Sequence, residues 1–68
     1  MDQLMRKQRM MQVYYALQEK GYNPVGQVVG YLLTEDPTYI PNYNGARSLI
    51  ARVDCEELLK DMVEYYLK

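Results

Sequence analysis

Cys55 is the one thiol in a sequence of 68 residues that contains no histidine. A thiol becomes a nucleophile when a base or a positive field draws off its proton. With no imidazole to serve, the remaining source is a helix dipole. Asp54, with Glu57 three residues later, approximates a capping box, which puts Cys55 near the first turn of a helix, where the dipole could lower its pKa. Any small residue is tolerated there, so the position assigns no reactive-thiol function. One cysteine also excludes an internal disulfide, and without histidine no group of residues has zinc-ligand spacing.

The other candidates for chemistry are equally spare. Gly26 and Gly30 fall inside a helical pattern instead of following a strand, which is the wrong context for a dinucleotide fingerprint or a P-loop. Arg6-Lys7-Gln8-Arg9 places three positive charges on one short run, but eight basic against nine acidic residues give a net charge of −1. The run reads as a solvated helix face, and no nucleic acid or acidic membrane is expected as a partner. No nucleophile with a base, paired carboxylates or phosphate cradle has recognisable spacing. The expectation is a chain that is not an enzyme, with no catalytic residues, no metal and no cofactor.

The elements that carry these residues are all helical. A first helix should run from about Asp2 to Lys20. Gly21 then ends it in a Schellman cap with Tyr22 against Leu17, and Asn23 caps the next helix with Pro24 as its first residue. The second helix, about Pro24 to Leu33, presents Val25, Val28, Val29 and Leu32 at helical spacing. Its two glycines cost about 1 kcal/mol each, so Gly-x-x-x-Gly should open a groove where another backbone packs, with Gly30 less replaceable than Tyr31. Asp36-Pro37 starts a single turn, and Pro41 holds Ile40 extended. Tyr39 and Ile40 stand at the tip of this corner, as a plug over the core or as a presented contact, with the plug preferred. A third helix of about nine residues begins near Asn44 and carries Ala46, Leu49, Ile50 and Val53 inward. A fourth starts at Asp54 and runs to the end of the chain.

Residues 1–68 therefore form one all-α domain, a small bundle of four to five short helices joined by tight Gly/Pro corners. A core this small stabilises a fold only narrowly. Yet the first and last helices carry apolar residues over half their circumference: Met10, Val13, Tyr14 and Leu17 beside Leu4, Met11 and Tyr15 on one, and Leu58, Leu59, Met62, Val63, Tyr65 and Tyr66 on the other. A symmetric homodimer would cover the excess, with Leu4, Met11, Tyr15, Leu59, Val63 and Tyr66 at its interface. Eight tyrosines and five methionines suit half-buried contact surfaces. No apolar run reaches the roughly 20 residues of a membrane span, and the expected location is cytoplasmic.

The chain resembles the IreB-like family of small regulatory phosphoproteins from Gram-positive bacteria. The resemblance rests on Ala16-Leu17-Gln18-Glu19-Lys20-Gly21-Tyr22-Asn23-Pro24, on Gln27-Val28-Val29-Gly30-Tyr31-Leu32-Leu33, on Asp36-Pro37 with Tyr39-Ile40-Pro41, and on Ala46-Arg47. It implies a non-enzymatic helical homodimer that is phosphorylated by a membrane Ser/Thr kinase and acts, by binding another cytoplasmic protein, on peptidoglycan precursor synthesis and antibiotic tolerance. Family members carry a phosphorylated threonine in a polar tail ahead of the first helix, whereas the threonines here are Thr34 and Thr38. They also carry a basic surface around the third helix, of which Arg47 and Arg52 remain, with Asn42, Ala51 and Cys55 where a basic residue would stand.

Tyr39, Ile40, Asn42, Arg47 and Arg52 are accordingly the expected partner-binding residues. Arg47 lies off the core side of its helix, and its fork of donors suits a carboxylate or backbone carbonyl on another protein; the competing reading is a bridge to Asp36 or Glu35 that locks the corner. Two other functions compete with the regulatory one. A helix-turn-helix DNA binder would need more basic residues on its recognition helix than Arg47 and Arg52. A degenerate paralogue that only dimerises would show the same sequence features.

Overall fold

The computed structural model describes residues 2–68 and is helical throughout its ordered elements: α1 (Gln3–Glu19), α2 (Pro24–Thr34), a 3-10 turn (Pro37–Tyr39), α3 (Ala46–Ala51) and α4 (Cys55–Tyr66). Among the described residues there is no strand.

The turn chemistry explains where the helices stop. Gly21 takes φ +88, and the amides of Gly21 and Tyr22 donate to the carbonyls of Gln18 and Leu17, each at 3.0 Å. These are the paired bonds of a Schellman cap. Two residues later Asn23 accepts from the Gly26 amide at 3.2 Å, with Pro24 opening α2. Stop and start thus share four residues, and α1 and α2 fold back on each other. At the far end of α2, Glu35 adopts the left-handed conformation as C-cap and Asp36 caps the Pro37–Tyr39 turn through the Thr38 amide at 3.0 Å. Asp54 caps α4 by accepting from the amides of Glu56 and Glu57, at 2.9 and 3.2 Å.

The third helix is shorter than its apolar pattern suggested. It has six residues, and Asn44 does not cap it. Asn44 and Gly45 are both left-handed, at φ 49 and φ 72, and Gly45 takes the N-cap position without a side-chain bond. Two consecutive left-handed residues turn the chain through the angle that a side-chain cap would otherwise hold, and α3 begins at Ala46, one residue later than an Asn44 cap would start it.

Val13, Ala16 and Leu17 of α1, Tyr31 of α2, Ile40 of the corner and Ala46 and Ile50 of α3 form the core cluster. Packing of α1 against α3 therefore dominates. The inward face of α1 runs through Arg6, Val13, Ala16 and Leu17, so Tyr14 faces outward, 42 % exposed, instead of sharing the core stripe. Tyr31 is buried, so replacing it also removes a core side chain. Helix α4 is the exception to this close packing, since Leu58 is its one buried residue.

Candidate functional site

Two regions gather the residues of interest: the corner that joins α2 to α3, and the outer surfaces of α1 and α4.

At the corner, Gly30 has a specific purpose. A Cβ built on it would lie 2.6 Å from Cδ1 of Tyr39 and 3.0 Å from Cζ, so the tyrosine ring rests directly on the helix backbone. The groove expected along Gly26 and Gly30 is thus half as long as the motif implied. Gly30 is covered by an aromatic ring from the corner and not by a crossing helix. A Cβ on Gly26 meets only its own cap, Asn23, at an ordinary 3.4 Å. Gln27 secures the same turn by donating from Nε2 to the Tyr39 carbonyl at 2.8 Å.

Ile40 is fully buried among the core residues, so it acts as the plug and is removed from the set of exposed partner contacts. Its extended backbone, forced by Pro41, points the side chain inward. Arg47 then fastens the corner from the other side: Nε donates to the Ile40 carbonyl at 2.9 Å. This is neither of the two arrangements weighed from sequence. The acceptor is a backbone carbonyl, as the guanidinium fork favours, but it belongs to the protein's own corner. Arg47 also bears electrostatically on Asp36, whose carboxyl is held below its usual range chiefly by the Thr38 backbone and hydroxyl bonds. Tyr39 retains 37 % exposure, and Asn42 and Arg52 are exposed.

The outer surfaces are apolar. Leu4 (63 %), Tyr15 (56 %), Val63 (54 %) and Tyr66 (86 %) are exposed, as are Met11 and Leu59. Met10, Met11 and Tyr14 of α1, Val25, Val28 and Val29 of α2 and Met62 of α4 line an open groove of about 400 Å³. A second depression of about 600 Å³ flanks the other side of α4, between Leu32, Cys55, Leu59 and Val63.

Sequence reasoning missed the residue that ties α4 down. Arg6 was assigned to a solvated basic face, yet it is 8 % exposed and grips Asp61: Nε to Oδ2 at 2.7 Å and Nη2 to Oδ1 at 3.0 Å. Gln3 adds a bond to Asp61 Oδ1 at 3.3 Å, and Glu57 lies 4.0 Å from the guanidinium. The signal was the phase of α1, because Arg6 stands seven residues before Val13 on the buried stripe. The Arg6 bond holds the Asp61 carboxyl below the ordinary range.

Cys55 is a free, half-buried cysteine. Burial pushes its thiol up, and the Glu35 and Asp54 carboxylates act in the same direction. Among the described residues no group of histidine, cysteine or carboxylate side chains is placed to hold a metal ion. No helix among them is long and apolar enough to cross a membrane.

The model of the IreB regulatory phosphoprotein family matches residues 1–68, the whole sequence given. This chain belongs to the IreB family. The family is regulatory and is not a known enzyme family, which is consistent with the sparse chemistry of the chain. For the IreB family the corner carries particular interest, since Gly30, Tyr39, Ile40 and Arg47 were among the residues on which the resemblance rested, and here they interlock.

Proposed function

We propose that this IreB-family protein is a non-enzymatic regulator that pairs with itself through α1 and α4 and binds another cytoplasmic protein through the corner and α3, in the control of peptidoglycan precursor synthesis under a Ser/Thr kinase. The observation that carries the pairing is the poverty of burial on α4. Twelve residues long, it buries Leu58 while Leu59, Met62, Val63, Tyr65 and Tyr66 stay exposed. The accessible surface is 4937 Å² for an 8.1 kDa chain. That exceeds by about a tenth the roughly 4,500 Å² a folded monomer of this mass exposes. Contact with a second copy would remove apolar surface that water disfavours at about 25 cal/mol per Å².

The partner-binding surface is Tyr39, Asn42, Arg47 and Arg52, with Ile40 supporting it from below. The cell-wall role and the kinase rest on the family resemblance. The DNA-binding alternative is weakened by the placement of the basic run, whose Arg6 is committed to Asp61, and by an α3 of six residues. Sedimentation equilibrium at micromolar concentration, followed by affinity capture from a native lysate with mass-spectrometric identification, tests both parts. A folded monomer that persists at those concentrations refutes the pairing. Capture that is unchanged by Asn42→Ala and Arg52→Ala refutes the surface.

A further inference from the structure

The sequence holds three side chains of the Ser/Thr type, Thr34, Thr38 and Ser48. Thr34 closes α2 and Ser48 lies within α3. The Thr34 hydroxyl is used in both directions: it donates to the Gly30 carbonyl at 2.7 Å and accepts from the Asp36 amide at 3.2 Å. Phosphorylating it would cost α2 its last-turn bonds. Ser48 is exposed, but six residues of helix would have to unwind to present it in extended form.

Thr38 is exposed, as Thr34 and Ser48 are, but it lies outside the α-helices, in a single 3-10 turn between two prolines, and its hydroxyl donates to Asp36 Oδ1 at 2.7 Å. That bond occupies the hydroxyl proton and leaves the attacking lone pairs out of it. Presenting Thr38 unwinds no α-helix: it opens the Asp36 cap on the Thr38 amide at 3.0 Å and the turn bonds from Tyr39 to Asp36 and from Ile40 to Pro37, at 3.2 and 3.1 Å, and it draws on the Gln27 bond to the Tyr39 carbonyl next to it.

The geometry points to Thr38 as a phosphoacceptor of this chain, whose phosphate competes with the Ile40 carbonyl for the Arg47 guanidinium. This rests on the regulatory phosphoprotein reading of the family. In the transfer, Thr38 Oγ1 forms a bond to the γ-phosphorus of a nucleoside triphosphate bound by a protein kinase. The bond from that phosphorus to the β–γ bridging oxygen breaks, the diphosphate leaves, and the hydroxyl proton passes to the kinase's catalytic carboxylate. The product sets a phosphate of charge about −1.5 to −2 beside Asp36. Two anions at hydrogen-bond range repel, and Arg47 is the cation that already bears on Asp36. A bidentate Arg–phosphate pair is stronger than one neutral carbonyl acceptor. When Arg47 leaves the Ile40 carbonyl, the corner loses one of its fasteners, and the tyrosine ring on Gly30 and the Ile40 plug loosen with it. Phosphorylation would thereby reshape the surface assigned to partner binding.

Two measurements test it. The recombinant chain is incubated with labelled ATP, magnesium and a native lysate, and its phosphates are mapped by mass spectrometry. Label on Thr38 that disappears in Thr38→Val is expected; label confined to Thr34, Ser48 or tyrosine, or no label, overturns the acceptor assignment. In parallel, the 68-residue chain is made by chemical synthesis with phosphothreonine at position 38 and titrated by ³¹P NMR. The second phosphate pKa, about 6 for an unperturbed group, should lie about half a unit lower than in the same chain with Arg47→Ala, because a neighbouring cation favours the dianion. Equal values overturn the Arg47 exchange. Neither measurement depends on dimerisation or partner capture, so a failed pairing or capture experiment leaves this inference standing, and the reverse holds too.

Discussion

Arg6 and Asp61, 55 positions apart in the chain, meet through two side-chain hydrogen bonds of 2.7 and 3.0 Å that join the first turn of α1 to the middle of α4. The carboxylate keeps 20 % side-chain exposure and the guanidinium 9 %, so the pair is sheltered unequally. Removing the carboxylate leaves a buried cation short of its chief partner, whereas removing both charges does not. Asp61→Asn should therefore lower the thermal midpoint more than the double variant Arg6→Met/Asp61→Leu does. Thermal melts of both singles and the double check this; a double variant as unstable as the worse single would show that packing, not charge, holds α4.

The same pair predicts an acid limit. The folded-state pKa values of Asp61 and Asp36 are both depressed, the first by Arg6 and the second by the Thr38 bonds. A depressed carboxylate contributes stability that is complete above the unfolded value, about 3.9, and is lost as pH falls from there through the folded value. Arg6 is held more firmly protonated by the contact, and it stays charged throughout. Stability should be level from neutrality to about pH 5 and drop below about pH 4. Circular dichroism melts across that range should show a shallower drop for Asp61→Asn than for the unaltered chain.

Gly26 and Gly30 separate a glycine that is needed from one that is not. Ala at Gly26 meets the Asn23 side chain at normal contact distance and gains roughly 1 kcal/mol of helix propensity. Ala at Gly30 would run into the Tyr39 ring, and overpacking of this kind costs about 1–3 kcal/mol. Urea midpoints should move in opposite directions. If Tyr39→Ala is added, Gly30→Ala should become much less damaging, since the ring it meets is gone.

Ile40 and Arg47 both hold the corner, through different forces. Ile40→Ala removes a fully buried side chain and should cost about 2–5 kcal/mol. Arg47→Ala deprives the Ile40 carbonyl of a charged donor, a loss of about 1.5–3 kcal/mol. Denaturant unfolding gives both numbers. An Arg47→Ala chain of unaltered stability would mean that solvent replaces the guanidinium at the carbonyl.

The pairing proposed for α1 and α4 is tested by Leu59→Glu with Val63→Glu. Both residues are exposed in the monomer, 44 % and 54 %, so the fold itself should change by no more than about 0.5 kcal/mol per site. Two buried carboxylates would oppose a symmetric interface strongly. Sedimentation should report about twice the chain mass for the unaltered protein and the single-chain mass for the variant, with the helical spectrum retained.

Much of this architecture could be read from local signals. Gly21, Asn23-Pro24, Asp36-Pro37 and Asp54 each fix a helix boundary within a few bonds, so the corners were legible residue by residue. What escaped was non-local. The start of α3 at Ala46 depends on Asn44 and Gly45 sharing a left-handed turn, which no composition rule demands of asparagine. The role of Arg6 depends on a partner 55 residues away, and a basic run looks alike whether or not one member turns inward. Gly-x-x-x-Gly announced a close approach but not its nature, because an aromatic ring and a helix backbone both need the space that a missing Cβ leaves. Arg47 was recognised as a fork seeking an acceptor, and the acceptor turned out to be seven residues behind it.

Leu58 and Asp61 anchor the first half of α4, and beyond them Tyr65 and Tyr66 stand in solvent. A helix fastened at one end opens by fraying from the other, without the core having to unfold. In an isolated chain the amides from Val63 onward should therefore exchange with deuterium far faster than those of Val13 or Leu17, and at a rate insensitive to mutations in the core. Slow exchange along this stretch would need contacts from outside the monomer, which makes the C-terminal turn of α4 an internal gauge of assembly, readable at single-amide resolution under conditions where mass measurements average over the whole population.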